Sequence, residues 1–337
     1  MSKNKPKGLF ILGQEEYDLI YGEKQRSAIR SMVDIYHPFI TPQQAKESPR
    51  VLQGMQFLFT GWQGPVLDSD FLDAAKNLEA VFYAGGSLRG VVTDEFWDKD
   101  IPITCAWEAN AVPVAEFTIS QIIFGLKIGW QSVNKIKAEQ KWPDEEFTKN
   151  IPGCYGSTVG LVSLGAIGKR VCKLLSSFDV NIIAYDPFIT QAQADSLAVK
   201  LCSLKEVFSR SDVVSIHTPL LDETVGLITG EHLRLMKPYS TFINTSRGKV
   251  VRQNDLISVM KQRPDMIAVL DVLEQEPPRS GDEILTLDNI ITTHHISGSK
   301  NIECTRMADF MIQELKRFLN NEPLQWQIRR DKAGLMA

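Results

Sequence analysis

The chain has 337 residues, 43% hydrophobic and 23% charged, which suits two globular domains and is too rich in core formers for disorder. Its formal net charge of −4 argues against a nucleic-acid partner, because a phosphate backbone selects a basic excess. The five cysteines (Cys105, Cys154, Cys172, Cys202 and Cys304) form no C-x-x-C pair, which predicts free buried thiols in a reducing compartment and excludes a disulfide framework or zinc site.

Lys3, Lys5 and Lys7 precede only a short apolar run, Leu9 to Leu12, too short for a secretory core. No window approaches the length of a membrane span, so a soluble, cytoplasmic protein with no membrane partner is expected. Gly8 to Leu12 reads as a buried strand and Tyr17 to Met32 as a helix. Val51 to Thr60 reads as a second strand and Asp68 to Leu78 as a second helix. Leu78 to Tyr83 then forms a third strand running into Ala84-Gly85-Gly86-Ser87. This β-α-β rhythm predicts a parallel sheet with right-handed crossovers.

From Val114 to about Ile136 the pattern is helical and apolar on several faces, through Ala115, Phe117, Ile119, Ile122, Ile123, Leu126 and Ile128. Such a helix belongs between layers or at a subunit contact. The stretch Glu139 to Gly156, with Trp142-Pro143 and Pro152-Gly153, reads as a polar loop. A second β-α series follows: a strand at Thr158 to Ser163, a turn at Gly165 to Gly168 opening a helix through Leu175, and a strand at Val180 to Tyr185 ending at Asp186. Further strands are predicted at Val213 to Ile216, Thr241 to Asn244, Met266 to Asp271 and Ile290 to Thr293, and a helix from Cys304 to Asn320 closes the chain.

The run Ser163-Leu164-Gly165-Ala166-Ile167-Gly168 is a G-x-G-x-x-G fingerprint whose first glycine is serine. In that context Gly165, Ala166, Ile167 and Gly168 present backbone N–H groups and a helix N-terminus to a pyrophosphate. Ser163 weakens the motif, because a side chain stands where the tight turn wants none. Asp186, 18 positions beyond Gly168 at the end of the next strand, suits an adenosine ribose and repels a 2′-phosphate. Pro187 and Phe188 follow with no adjacent cation, which favours NAD over NADP.

Four further segments occur in order: His217-Thr218-Pro219-Leu220, Asn244-Thr245-Ser246-Arg247-Gly248, Asp271-Val272-Leu273-Glu274-Gln275-Glu276-Pro277 and Thr293-His294-His295-Ile296-Ser297-Gly298. With the glycine turn they make the chain, from roughly Asn110 to Gly298, resemble the D-isomer-specific 2-hydroxyacid dehydrogenases. The resemblance implies a hydride transfer between NAD(H) and C2 of a small 2-hydroxy or 2-oxo acid. It assigns His295 as acid and base, Glu276 as the acidic partner of that histidine, and Arg247 as the group gripping the substrate carboxylate and carbonyl. It further implies that Asp271 lies near the nicotinamide carboxamide, that Thr218 and Pro219 form a lip over the adenine, and that His217 and Thr245 also bind the cofactor. Gly85, Gly86 and Ser87 align with the loop that holds the substrate carboxylate through main-chain N–H groups.

The implied fold is α/β with two doubly wound parallel-sheet domains. A Rossmann-type NAD domain, residues 111–299, is inserted in a flavodoxin-like substrate domain of residues 1–110 and 300–337. Two crossings make a hinge whose closure excludes water, and the apolar helix points to a homodimer. The chain departs from the family at His294, where proline is usual, so the register of His295 rests on Ile296 and Gly298. It departs again at Leu88-Arg89, where an acid is usual; Arg89 reads either as a contact for a second anionic group or as a solvent-facing charge. Trp62 reads either as a pocket wall or as a packed loop aromatic. No metal is expected, since neighbouring His294 and His295 on a strand would point to opposite faces. The competing function is a nucleotide-sensing binding protein or corepressor on the same fold, which turnover would distinguish.

Overall fold

The computed structural model describes residues 5–334, and the chain divides into two compact units: residues 1–110 with 299–337, and residues 111–298. In chain order the first unit contributes β1 (Lys7–Phe10), β2 (Asp34–Ile35), β3 (Phe57–Gly61), β4 (Ala80–Ala84) and β5 (Ile103–Cys105). The second contributes β6 (Thr158–Val162), β7 (Asn181–Tyr185), β8 (Lys200–Leu201), β9 (Val213–Ile216), β10 (Thr241–Asn244), β11 (Ile267–Leu270) and β12 (Ile290–Thr292). The chain then returns to the first unit with β13 (Gln327–Ile328).

In the first unit the sheet order is β13-β5-β4-β3-β1-β2, parallel throughout except for β13, which runs antiparallel to β5. Alternation along the strands feeds two cores. Leu9, Ile11, Leu58, Val81 and Tyr83 enter one, while Phe10, Leu12, Phe57, Phe59 and Phe82 enter the other. Both faces of the strands are therefore apolar, as a covered parallel sheet requires. The second core is closed by Met307, Met311 and Leu315 of the Thr305–Leu319 helix.

The second unit holds a wholly parallel sheet in the order β12-β11-β10-β9-β6-β7-β8. Val162, Val214, Ile216, Phe242 and Leu270 pack on one face, and Val159, Leu161, Val213, Ile243 and Val269 on the other. The strand order reverses between β6 and β9, which makes the carboxyl ends of those two strands the place where a ligand binds in such sheets. Both units are thus parallel-sheet α/β structures, in agreement with the expected fold class.

Several expected elements change on inspection. The helix expected from Tyr17 to Met32 is two helices, Gln14–Ile20 and Glu23–Met32, because Gly22 takes an extended conformation and starts the second. The first half of the strand expected from Val51 is a 3-10 turn, Pro49–Gly54. The helix after the predicted Asp68 start is shorter, Ser69–Ala74, with Asp68 accepting the Phe71 N–H as its cap. The long apolar helix begins earlier, at Trp107, and ends at Leu126, since Ile128 adopts a left-handed φ of 44°; a second helix, Gly129–Glu139, follows. β2, β5, β8 and β13 were not foreseen.

The Trp107–Leu126 helix also corrects the expectation that no segment approaches a membrane span: it is long and apolar enough, with a mean hydropathy of 1.3 over its best 18 residues. Half of that window is buried, and Ala115, Ile122 and Leu126 join the core of the second sheet.

Candidate active site

The second unit gathers most of the singled-out residues at the carboxyl ends of its strands. After β6 the chain turns at Ser163, with φ 75°, and reaches Gly165, the N-cap of the Ala166–Leu175 helix. The Ser163 N–H donates to the Tyr185 carbonyl at 2.8 Å, and the Leu164 N–H donates to Asp186 Oδ2 at 2.6 Å. A Cβ on Gly168 would collide with the Ser163 carbonyl oxygen, so glycine is what lets the helix approach the turn. Gly165 faces open space, and a Cβ built there meets no atom within 4 Å. The first-turn N–H groups at Ala166 and Ile167 belong to the set that no helix satisfies internally.

Asp186 is anchored through both oxygens, Oδ2 by Leu164 and Oδ1 by the Phe188 N–H at 2.8 Å. An open helix N-terminus, a glycine packed tightly against the turn and an oriented acid one strand away fit the pyrophosphate and ribose of a dinucleotide. Thr218 is buried beside this turn, and its Oγ1 lies 3.0 Å from Ser163 Oγ. His217 is placed inside: its Nε2 lies 3.2 Å from Ser215 Oγ, and burial lowers its pKa to about 3, so the ring is neutral. Among the described residues, its buried Nδ1 has no hydrogen-bond partner. Pro219 lends its carbonyl to Thr224 Oγ1 at 2.6 Å, which shapes the loop after β9.

After β10, the buried Asn244 organises the turn that carries Arg247. Its Oδ1 accepts from the N–H and Oγ of Ser246 at 3.0 and 2.8 Å, and its Nδ2 donates to the Arg247 carbonyl at 3.2 Å. Thr245 is tied to Thr118 through their hydroxyls at 3.2 Å. The half-buried Arg247 donates from Nη1 to the Ser246 carbonyl at 2.8 Å. Beside it, a Cβ on Gly248 would overlap the carbonyl of Leu273 and the nitrogen of Glu274, so the turn after β10 lies directly against the turn that leads to Glu276.

Glu276 and His295 meet. Glu276 Oε2 lies 2.8 Å from His295 Nδ1, while Oε1 accepts the Leu273 N–H at 2.9 Å. A carboxylate only accepts, so Nδ1 carries the proton and Nε2 is the nitrogen left to exchange one. His295 sits at φ 56° with its N–H donated to the Asp271 carbonyl at 3.0 Å. The loop around it is clamped by the Asp271 carboxylate, which accepts from Thr293 Oγ1 at 2.6 Å, the Ile296 N–H at 2.8 Å and the Ser297 N–H at 2.9 Å. β12 ends at Thr292, so His294 and His295 lie on this loop; the opposite-faces argument made for a strand does not apply to them. Among the described residues, no three His, Cys, Asp or Glu side chains gather as metal ligands.

Residues 123–297, just over half of the chain, match the family described as D-isomer specific 2-hydroxyacid dehydrogenase, NAD binding domain. The chain belongs to that family. A glyoxylate reductase of Korarchaeum cryptofilum is 36% identical over 258 residues, covering 76% of this chain and 77% of the relative. A D-3-phosphoglycerate dehydrogenase of Methanocaldococcus jannaschii is 31% identical over 261 residues, 77% of this chain, which spans about half (49%) of that protein's length. The fold is shared with the crystal structure of a phosphoglycerate oxidoreductase from Rhizobium etli, at a TM-score of 0.82 and 19% identity over 97% of this chain and 99% of that one. This D-2-hydroxyacid dehydrogenase family member is an oxidoreductase whose cofactor is NAD, and the open glycine turn with Asp186 fits that cofactor.

The Gly85-Gly86-Ser87 segment lies in the first unit, after β4. The Cys105 thiol donates to the Gly85 carbonyl at 3.1 Å, and a Cβ on Gly85 would strike the Tyr83 ring. Ser87 Oγ accepts the Arg89 N–H at 3.2 Å, and the Arg89 side chain is exposed. Trp62 packs against the aromatic core of its own unit, which favours the packed-aromatic alternative. Sequence reasoning missed Asn244 and Thr293 as supports of the site. Both stood inside quoted segments, but their bonds depend on turn geometry.

Proposed function

We propose that this protein interconverts a small 2-oxo acid and the matching D-2-hydroxy acid, with His295 as the acid and base. The single observation that carries this reading is the 2.8 Å contact between Glu276 and His295. When bound, NADH supplies the hydride that adds to C2 of the oxo acid. His295 Nε2 gives a proton to the carbonyl oxygen during reduction and takes it back from the hydroxyl during oxidation. Glu276 holds the ring orientation and the Nδ1–H tautomer through that contact. Arg247 binds the substrate carboxylate with its planar fork and stabilises charge as it develops on the carbonyl oxygen.

The substrate we propose is a short 2-oxo acid such as glyoxylate, supported by the name of the Korarchaeum relative. We also propose a cytoplasmic homodimer, supported by five cysteines free of disulfides and by the partly exposed Phe124 on the apolar helix. The test is NADH oxidation with glyoxylate, hydroxypyruvate, phosphorylated and longer 2-oxo acids, using wild type beside H295A. Turnover that disappears in H295A supports the reading. Intact NADH binding with no turnover on any acid would replace it with the nucleotide-sensing alternative.

A further inference from the structure

Ser163 occupies the first glycine position of the turn, yet the structure holds it there through both its backbone N–H and its hydroxyl. Its backbone lies at φ 75°, a region that L residues avoid, and such outliers point to function when their surroundings over-determine them. Its N–H is fixed to Tyr185, a Cβ on Gly168 would collide with its carbonyl oxygen, and its hydroxyl lies 3.0 Å from that of Thr218. Ser163 follows β6 and Thr218 follows β9, the neighbouring strands between which the sheet order reverses. Thr218 is only 3% exposed, so its hydroxyl is directed to a protein partner more than to water. The pair therefore ties together the two walls of the crevice in which a dinucleotide lies.

We propose that Ser163 is a positioning residue for NAD, with its hydroxyl holding the Thr218-Pro219 segment at the distance the cofactor requires. This chain depends on a serine where the fingerprint has glycine. Restoring the glycine relieves the backbone and still weakens binding, the reverse of what the motif alone predicts. The inference rests on NAD binding by this domain and not on the assignment of His295, Glu276 or Arg247.

The test is direct titration of the full-length protein with NADH by fluorescence and with ADP-ribose by calorimetry, for wild type, S163G, S163A, T218V, T218S and the S163G/T218V double variant. Losing one hydrogen bond should raise both Kd values about 3- to 10-fold in S163G, S163A and T218V. T218S keeps the hydroxyl and should bind as wild type, and the double variant should be no weaker than the weaker single one. KM for NADH should follow Kd while kcat at saturating NADH stays within about twofold, a split expected when uniform binding is lost. S163G binding NADH as tightly as wild type, or a double variant showing the product of the two single losses, would overturn the proposal. If T218V does not fold, S163G and S163A carry the test. Titrations that succeed in a protein with no turnover would sink the catalytic reading and leave this one standing.

Discussion

Glu276 grips His295 with one carboxylate oxygen, at 2.8 Å from Nδ1, while its other oxygen is held by the Leu273 N–H at 2.9 Å. The side chains of His295 and Glu276 remain 51% and 37% exposed, so the pair contributes little to stability. Its value lies in orienting a ring that must exchange protons. E276Q is therefore expected to keep the wild-type Tm within a degree or so, because such exposed pairs are worth about 1 kcal/mol or less. Its kcat for reduction should fall by about 10- to 100-fold, less than the ~10²- to 10⁴-fold that a general acid or base supplies, because His295 itself is kept. A variant with wild-type kcat would show that Glu276 is a bystander.

Arg247 should tolerate neither lysine nor alanine. Lysine keeps the charge but not the planar fork, so R247K is expected to lose about 10²-fold in kcat/KM for the oxo acid, and R247A more. NADH binding should change little in either variant. Equal losses in NADH affinity and in kcat/KM would point to a collapsed turn, with no specific contact to substrate.

Asp271 holds the Thr293–Ser297 loop through three hydrogen bonds, two of them from backbone N–H groups. D271N sets an amide donor against some of those donors and should destabilise the protein by about 1–3 kcal/mol. Activity should fall further than stability, because His295 rides on that loop. Urea unfolding and kinetics on the same preparation separate the two effects.

His217 predicts a pH dependence of stability. Burial lowers its folded pKa from 6.5 to about 3, so the unfolded chain binds a proton that the folded chain refuses. The stability it leaves intact above pH 6.5 is lost as pH falls from there toward 3, at about 1.4 kcal/mol per pH unit. H217N should flatten the urea-unfolding free energy over that window. An unchanged slope between pH 6.5 and 4.5 would mean that His217 protonates freely in the folded state.

Much of this architecture was legible because strands buried on both faces are written as apolar runs, as in Phe57-Leu58-Phe59 and Val213-Val214. The strands that escaped notice, such as β2, β8 and β13, have two residues each and are defined by register and not by side-chain pattern. The breaks at Gly22 and Ile128 escaped because the apolar period runs across them. At the site, Glu276 and His295 were named through family resemblance, since nothing in a separation of 19 residues announces a contact. Asn244 and Thr293 act through turns whose geometry no periodicity encodes. Ser163 was noticed as a departure from the motif, but its bond to Thr218, 55 positions away, needed the sheet order to be known.

The proposed reaction delivers a hydride to C2 of a 2-oxo acid and gives the D isomer. The most direct measurement incubates the enzyme with NADH deuterated at the transferring position and the best oxo acid, then analyses the product by chiral chromatography and mass spectrometry. The account predicts a D-2-hydroxy acid carrying one deuterium at C2, formed by wild type and absent with H295A. An L product, a product without deuterium, or undiminished turnover by H295A would contradict it.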